Sequence, residues 1–222
     1  MIHSPSLFIS INTTSTMSWL FSSPRNPDIT IKIATLGDPG AGRQHLAMRF
    51  TAGVFRPFPP YIGSDYRVKR VTQRGKDVMI ELVHCFSLRF GVPPDVLWNT
   101  HVVLFVIDLS SSHPLDSLQR CIDAVGDGAQ EETIMAVAGT KRDALTEENM
   151  ENVLRLESVC NEKGILFFST SAKTGDNVDE MFGSLIDAVI DKIDSQVWLD
   201  DGSWINPPPR PPSLIWSVCH LL

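Results

Sequence analysis

Residues 36–50 have the sequence LGDPGAGRQHLAMRF, a glycine-rich stretch between two apolar patterns. The segment before it alternates apolar and polar residues and then becomes continuously apolar, which predicts a strand that becomes increasingly buried. After it, Leu46, Ala47 and Phe50 recur at helical spacing, and Gly53 predicts the end of that helix. A glycine loop between a strand and a helix turns backbone N–H groups inward, where they bind phosphate oxygens beside the positive end of the helix dipole. The stretch therefore predicts a phosphate-binding loop.

This loop fits the pattern G-x-x-x-x-G-[basic]-x, but Arg43 and Gln44 occupy the positions where Lys and then Ser or Thr are usual. The alternative interpretation is a glycine-rich turn that binds nothing. The predicted phosphate-binding residues are Gly37, Asp38, Pro39, Gly40, Ala41, Gly42, Arg43 and Gln44.

Composition bounds the class of protein. The 222 residues suit one domain of ordinary size plus extensions, and 43% hydrophobic residues supply enough apolar material for a core. The formal net charge of −7 argues against a general nucleic-acid binder. The four cysteines are far apart in the sequence, which favours free thiols in a reducing compartment over a disulfide framework or a zinc site.

Periodicity predicts an α/β doubly wound sheet with one antiparallel edge. Residues 65–73 and 78–84 flank a turn and predict a β-hairpin, with Val78, Ile80 and Leu82 on one face. The continuously apolar VVLFVID predicts a central parallel strand buried on both faces. Further predicted elements are helices at about 114–126, 146–162 and 176–194, strands at 133–139 and 165–171, and an irregular segment at 87–100.

Both ends of the chain differ from the middle. Residues 1–27 are predicted to form a disordered leader, because the first 24 residues carry no charge and lack the basic start of a secretory signal; Met17 offers a second start of translation. Residues 195–222 contain INPPPRPPS and then an apolar tip, which predicts a stiff spacer or, as the alternative, a ligand for an aromatic-lined groove. The domain itself is predicted to span residues 28–194.

Two later motifs specify a base. AGTKRD and STSAKTG each follow a predicted strand, and in this order after the glycine loop they resemble the [NT]-K-x-D and S-A-K motifs of the Ras superfamily. The resemblance implies that a buried carboxylate of Asp143 accepts two N–H groups of guanine, a donor pair that adenine lacks. It also implies that the Lys141 stem covers the base and that the Ala172 N–H reaches the guanine oxygen. The guanine-binding residues implied are Thr140, Lys141, Asp143, Ser171, Ala172 and Lys173.

Within that superfamily the chain resembles Rab proteins. YIGSDY is similar to the Rab effector stretch, and GKDVMIEL, VVLFVIDLSS and DNVDEMF are similar to later Rab segments. The resemblance implies a small-GTPase (P-loop NTPase) fold with a six-stranded, mostly parallel sheet and helices on both faces. It implies GTP or GDP as ligand, membrane traffic as the process, and effector or regulatory proteins that contact the effector loop at Tyr61, Ile62 and Gly63.

The departures from the Rab pattern fall on the magnesium and γ-phosphate chemistry. Gln44, Tyr61 and His84 stand where the family implies a loop Ser or Thr, an effector-loop Thr and an Asp that hold Mg²⁺. Ser87 stands at the glycine that senses the γ-phosphate, and Leu88 at the glutamine that orients the attacking water. These substitutions predict that Mg²⁺ binding is doubtful, that hydrolysis is negligible and that no residue is catalytic.

Three hypotheses follow from this pattern. The first is an atypical Rab-like GTP-binding protein, the second a pseudo-GTPase interaction module without nucleotide, and the third an active GTPase with relocated catalytic groups. We also considered a metal site at His84, Cys85 and His101, but buried side chains at strand ends are the more common explanation, so no metal site is predicted.

The C-terminus bears on membrane association. Cys219 is the fourth residue from the end and fits the C-a-a-X prenylation pattern, with the atypical His220 within it. Prenylation would give peripheral membrane association through the tail, whereas an unmodified apolar tail would dock on the domain or on a partner. We expect a cytoplasmic monomer, peripheral on the cytosolic face of endomembranes if Cys219 is prenylated.

Overall fold

A computed structural model describes residues 26–56, 66–85, 88 and 91–195. The leader up to residue 25, the effector-loop residues Tyr61, Ile62 and Gly63, the Ser87 position and the tail with Cys219 lie outside the described residues.

A six-stranded sheet forms the centre of the domain, in the order β2-β3-β1-β4-β5-β6. β2 runs antiparallel to β3, while the other neighbouring strands are parallel to each other. This confirms the predicted mostly parallel sheet with one antiparallel edge. The strands are β1 (Ile29–Leu36), β2 (Tyr66–Gln73), β3 (Lys76–His84), β4 (Val102–Asp108), β5 (Ile134–Thr140) and β6 (Leu166–Ser169).

Helices cover both faces of the sheet, as predicted. They are α1 (Arg43–Ala52), α2 (Pro94–Leu97), α3 (Pro114–Val125), α4 (Glu147–Glu162) and α5 (Val178–Asp194). α1 and α5 bury their apolar faces in one core layer, where the rings of Phe50 and Phe182 stack with centroids 3.7 Å apart. α3 and α4 bury theirs in a second layer on the opposite face. The alternating side chains of β1 and β4 divide between these layers because successive residues of a strand point to opposite faces.

Some predicted bounds were wrong. β6 has four residues instead of the predicted seven, and Thr170 and Ser171 leave the strand to begin a turn. The segment predicted to be irregular contains α2, whose first residue is Pro94; proline fits the first turn of a helix, where its missing N–H leaves no hydrogen bond unmade. Strand β4 has the predicted bounds, because a continuous apolar run buried on both faces is unambiguous.

The parallel topology brings the predicted motifs to one end of the sheet, where the parallel strands have their carboxyl ends. The phosphate loop follows β1, the TKRD motif ends β5 and the SAK motif follows β6, and these strands run in the same direction. In open α/β sheets, ligands bind at the carboxyl ends of the strands. The fold therefore places the predicted phosphate loop and the predicted base motifs together at the carboxyl ends of the strands.

Candidate nucleotide site

The phosphate loop is a tight glycine turn against the end of β4. A Cβ at Gly37 would lie 2.3 Å from the carbonyl oxygen of Val106, so only glycine fits there. Gly42 caps α1 with a φ of 97°, in the left-handed region that L side chains rarely adopt. These two positions explain why the loop needs its glycines at this spacing. The glycines at positions 37 and 42 are therefore required by the backbone of the loop.

Asp38, in the same loop, is fixed by an arginine from α3. Arg120 Nη2 donates to Asp38 Oδ2 at 2.6 Å, and this hydrogen bond is the main reason that the pKa of Asp38 lies below its ordinary value. A cleft of about 500 Å³ opens between the loop and α3. Its lining residues include Asp38, Pro39, Gly40, Ala41, Asp108, Arg120 and Lys141.

Thr140 ties the phosphate loop to the base motif. Its buried hydroxyl lies 2.5 Å from the carbonyl oxygen of Ala41 and 3.1 Å from that of Ile107. One hydroxyl thus links the phosphate loop, the end of β4 and the end of β5. The side chain of Thr140, which was predicted to be part of the guanine site, therefore contacts main-chain carbonyl groups of the protein.

Lys141 is held by a residue that the sequence argument did not single out. Its Nζ lies 2.6 Å from Asp108 Oδ2, and the same carboxylate accepts a hydrogen bond from Ser110 Oγ at 2.6 Å. Lys141 itself has a φ of 60°, so its backbone turns sharply at the edge of the sheet. The sequence did contain a signal for Asp108. An acidic residue at the carboxyl end of a central strand lies where ligands bind in open α/β sheets.

Asp143 is held by the SAK motif. Ser171 Oγ donates to Asp143 Oδ1 at 2.6 Å, and Lys173 Nζ lies 3.4 Å from Oδ2. The Ser171 hydrogen bond is the largest cause of the lowered pKa of Asp143, and the Lys173 contact adds to it. Asp143 is exposed as a residue, contrary to the predicted buried carboxylate, although its side chain keeps only 18% of its accessible surface. An ionised, accessible carboxylate is the acceptor that a base with two neighbouring N–H groups requires.

The opposite end of the site has a different chemistry. His84 is buried at the end of β3, and its Nδ1 is hydrogen-bonded to the hydroxyl of its cross-strand neighbour Thr35. Arg43 donates to the main-chain carbonyl of Cys85, and burial lowers the pKa of its guanidinium. Leu88 packs against the apolar layer beneath α3 and α4. The side chains of His84, Arg43 and Leu88 therefore make contacts within the protein.

The two histidines considered for a metal site lie at different levels of β1. His84 pairs with Thr35, whereas His101 Nδ1 accepts a hydrogen bond from the Lys32 N–H at 3.0 Å. Three residues of strand separate these levels, or roughly 10 Å. The described residues contain no group of three or more metal-ligating side chains.

Comparison with known proteins identifies the family. Residues 32–191 match the model of the family described as "Ras: Ras family". The chain belongs to the Ras family.

Relatives of this Ras-family chain are Rab-like. The GTP-binding protein YPT53 of Saccharomyces cerevisiae is 26% identical over 72% of this chain and 76% of its own length. The Ras-related protein SEC4 of the same yeast is 29% identical over 81% of this chain and 84% of its own length. The Ras-related protein Rab-8B of Dictyostelium discoideum is 28% identical over 72% and 80%. Within the described part of this chain, no helix is both long and apolar enough to span a bilayer.

Proposed function

We propose that this Ras-family chain is an atypical Rab-like GTP-binding protein that holds guanine nucleotide without Mg²⁺ and hydrolyses GTP negligibly. The observation that carries the proposal is the Asp143 carboxylate, which Ser171 orients at 2.6 Å and keeps ionised. An ionised carboxylate accepts both the N1–H and the exocyclic amine of guanine, whereas adenine would leave it unpaired. Gly37–Gly42 would bind the phosphates with their backbone N–H groups.

The residues at the magnesium position do not fit that ion. Mg²⁺ demands near-octahedral oxygen ligands at short distance. His84 offers a nitrogen that is already hydrogen-bonded to Thr35, and Gln44 replaces a short hydroxyl by a longer amide. Leu88 has no polar atom with which to orient an attacking water, and positioning of that water is a main protein contribution to GTP hydrolysis. We therefore assign no catalytic residue.

The cellular role proposed is in vesicle traffic, because the curated relatives are Rab, SEC4 and YPT proteins. Effector or regulatory proteins would bind the effector loop at Tyr61, Ile62 and Gly63. Peripheral attachment to the cytosolic face of endomembranes would depend on the tail and on prenylation of Cys219. These partner and membrane assignments rest on the family alone.

A pseudo-GTPase without nucleotide is the second candidate, and one observation favours it. The guanidinium of Arg43 donates to the carbonyl of Cys85, although the family's basic residue at this position contacts phosphate. Phosphate binding would have to recruit Arg43 from that carbonyl or rely on the backbone N–H groups alone.

Two assays separate the candidates. The full chain and Asp143→Ala are purified in parallel, denatured, and the released nucleotide is identified by chromatography. We expect GDP or GTP from the wild type and none from the variant; an empty wild type that shows no thermal shift with GDP would favour the pseudo-GTPase. Single-turnover hydrolysis of GTP should then be absent with or without Mg²⁺. Mg²⁺-dependent turnover at ordinary small-GTPase rates would contradict the proposal.

A further inference from the structure

Arg49, in the last turn of α1, connects the helix of the phosphate loop to the guanine motif. Its Nε donates to the carbonyl oxygen of Ala172 at 2.6 Å, and its Nη2 donates to that of Lys173 at 2.7 Å. Its Nη1 donates to the carbonyl oxygen of Gly53 at 2.8 Å. One guanidinium therefore fixes two consecutive carbonyls of the SAK motif, 123 and 124 residues away in sequence.

Helix capping alone does not account for this geometry. A capping arginine donates to the carbonyls at the end of its own helix, and only the bond to Gly53 has that character. The other two donors leave the helix and form a fork on neighbouring carbonyls, which restrains both the position and the orientation of that backbone.

The SAK turn has its own internal hydrogen bonds. Gly175 N–H donates to the Ser171 carbonyl at 2.8 Å, and Ser171 N–H donates to the Asp176 carbonyl at 3.0 Å. These bonds define the shape of the turn, while the pairing of β5 with β6 and the Thr140 hydroxyl already relate this end of the sheet to the phosphate loop. Arg49 adds a direct link between the SAK carbonyls and α1, the helix that begins at the phosphate loop.

We infer that Arg49 is a positioning residue for base selection. It sets the distance between the phosphate cradle and the Ala172 N–H that would bind the guanine oxygen. This inference rests on the proposed function, since it concerns recognition of the same nucleotide. The ligand class is a purine nucleotide with an oxygen at position 6 of the base.

The test compares three probes on the full chain: GDP, ADP and inorganic pyrophosphate, which lacks a base. Arg49→Met keeps the apolar stem and removes the donors, whereas Arg49→Lys keeps the charge and can reach one carbonyl. Arg155→Met is the matched control, because Arg155 lies on exposed α4 and pairs with Glu151. Circular dichroism confirms that each variant is folded.

We expect Arg49→Met to weaken GDP binding about tenfold, the effect of one misplaced hydrogen bond to the base. Pyrophosphate and ADP affinities should not change, so the preference for GDP over ADP falls by the same factor. Arg49→Lys should recover part of the loss, and Arg155→Met should behave as wild type. If Arg49→Met does not fold, the Arg49→Lys variant must still lower the GDP-to-ADP preference.

An unchanged GDP-to-ADP preference in folded Arg49 variants would overturn the inference and leave the proposed function intact. An equal loss of GDP and pyrophosphate affinity would also overturn it, since Arg49 would then serve the phosphate loop or the fold in general. Failure of the wild type to bind GDP would overturn the proposed function and this inference together, and the wild-type titration alone reveals that outcome.

Discussion

The candidate site has a guanine end (Asp143, Ser171 and Lys173) and a magnesium end (Arg43 and His84). Both lie at the carboxyl ends of the parallel strands, but they use their polar groups differently. At the guanine end, the Asp143 carboxylate is oriented by Ser171 and remains accessible to a ligand. At the magnesium end, His84 and Arg43 are hydrogen-bonded to Thr35 and to the Cys85 carbonyl. One end presents polar groups outward, whereas the other directs them into the protein.

This difference underlies the proposal that the chain keeps guanine binding and lacks a magnesium site. The glycine loop and Thr140 also contact the ends of β4 and β5, so they contribute to packing as well as to the candidate site. At residue 84 the fold accommodates a buried histidine that is hydrogen-bonded to Thr35. The presence of a phosphate-loop fold is therefore not sufficient evidence for hydrolysis.

The largest effect should come from removal of the guanine acceptor. Asp143→Ala deletes both charge-assisted hydrogen bonds to the base, so GDP affinity should fall roughly 100-fold or more. The measurement is isothermal titration with GDP, and Asp127→Ala serves as the control because Asp127 is an exposed carboxylate in a turn away from the motif. Wild-type affinity in Asp143→Ala would remove the guanine end from the account.

The second largest effect should come from a variant that restores the family's residue types at the magnesium end. The triple variant Arg43→Lys, Gln44→Ser, His84→Asp restores the residue types of the family pattern at those positions. Without ligand, a buried carboxylate at residue 84 should destabilise the fold by about 2–4 kcal/mol. With GDP, Mg²⁺ should raise the melting temperature of the triple variant and leave the wild type unchanged.

The matched control for that variant is the double variant Arg43→Lys, Gln44→Ser, which retains His84. It should gain no magnesium response, because the carboxylate that the family pattern has at residue 84 is still missing. A magnesium response of equal size in the double variant would show that His84 is not the residue that excludes the ion.

A smaller effect concerns the link between the two ends. Thr140→Val keeps the side-chain shape and removes the hydroxyl, whose single proton is within hydrogen-bond distance of the Ala41 and Ile107 carbonyls. The free energy of unfolding should fall by about 1–3 kcal/mol, because buried carbonyls lose their donor. Urea unfolding measures this, with the exposed Thr72→Val on β2 as the control. A loss no larger than that of Thr72→Val would mean that Thr140 does not link the loop to β5.

The smallest effect is a shift in pH dependence. The Ser171 hydrogen bond lowers the pKa of Asp143. The charged carboxylate therefore stabilises the fold above its unfolded-state pKa, and this stabilisation is lost as pH falls through the folded-state pKa. Ser171→Ala should raise the folded-state pKa, so GDP affinity is lost at higher pH than in the wild type. A GDP titration series from neutral pH downward tests this, with exposed Ser158→Ala as the control. A pH profile identical to wild type would show that Ser171 does not set the charge of Asp143.

Local patterns predicted most of the fold, and the structure brings the predicted site residues Asp143 and Ser171 into contact. Apolar periodicity was sufficient for β4 and the buried faces of α1 and β3, since each depends on residues close in sequence. It was insufficient for α2 and for the end of β6, where few residues carry the signal.

The missed residues depend on contacts between distant parts of the chain. Arg49 reaches carbonyls 123 and 124 residues away, and Arg120 reaches Asp38 across 82 residues. Arginines on helices have no sequence signal that distinguishes such contacts from solvation. The accessible state of Asp143 was missed for a related reason, because burial of a loop carboxylate depends on how neighbouring loops pack.

The central claim is that guanine nucleotide binds here independently of Mg²⁺. The most direct measurement is titration of the nucleotide-free full chain with GDP and GTP, each in excess Mg²⁺ and in excess chelator, with ADP in parallel. We predict the same affinity for each guanine nucleotide in both conditions and much weaker binding of ADP. Guanine binding that disappears in chelator, or no binding in either condition, would contradict the account.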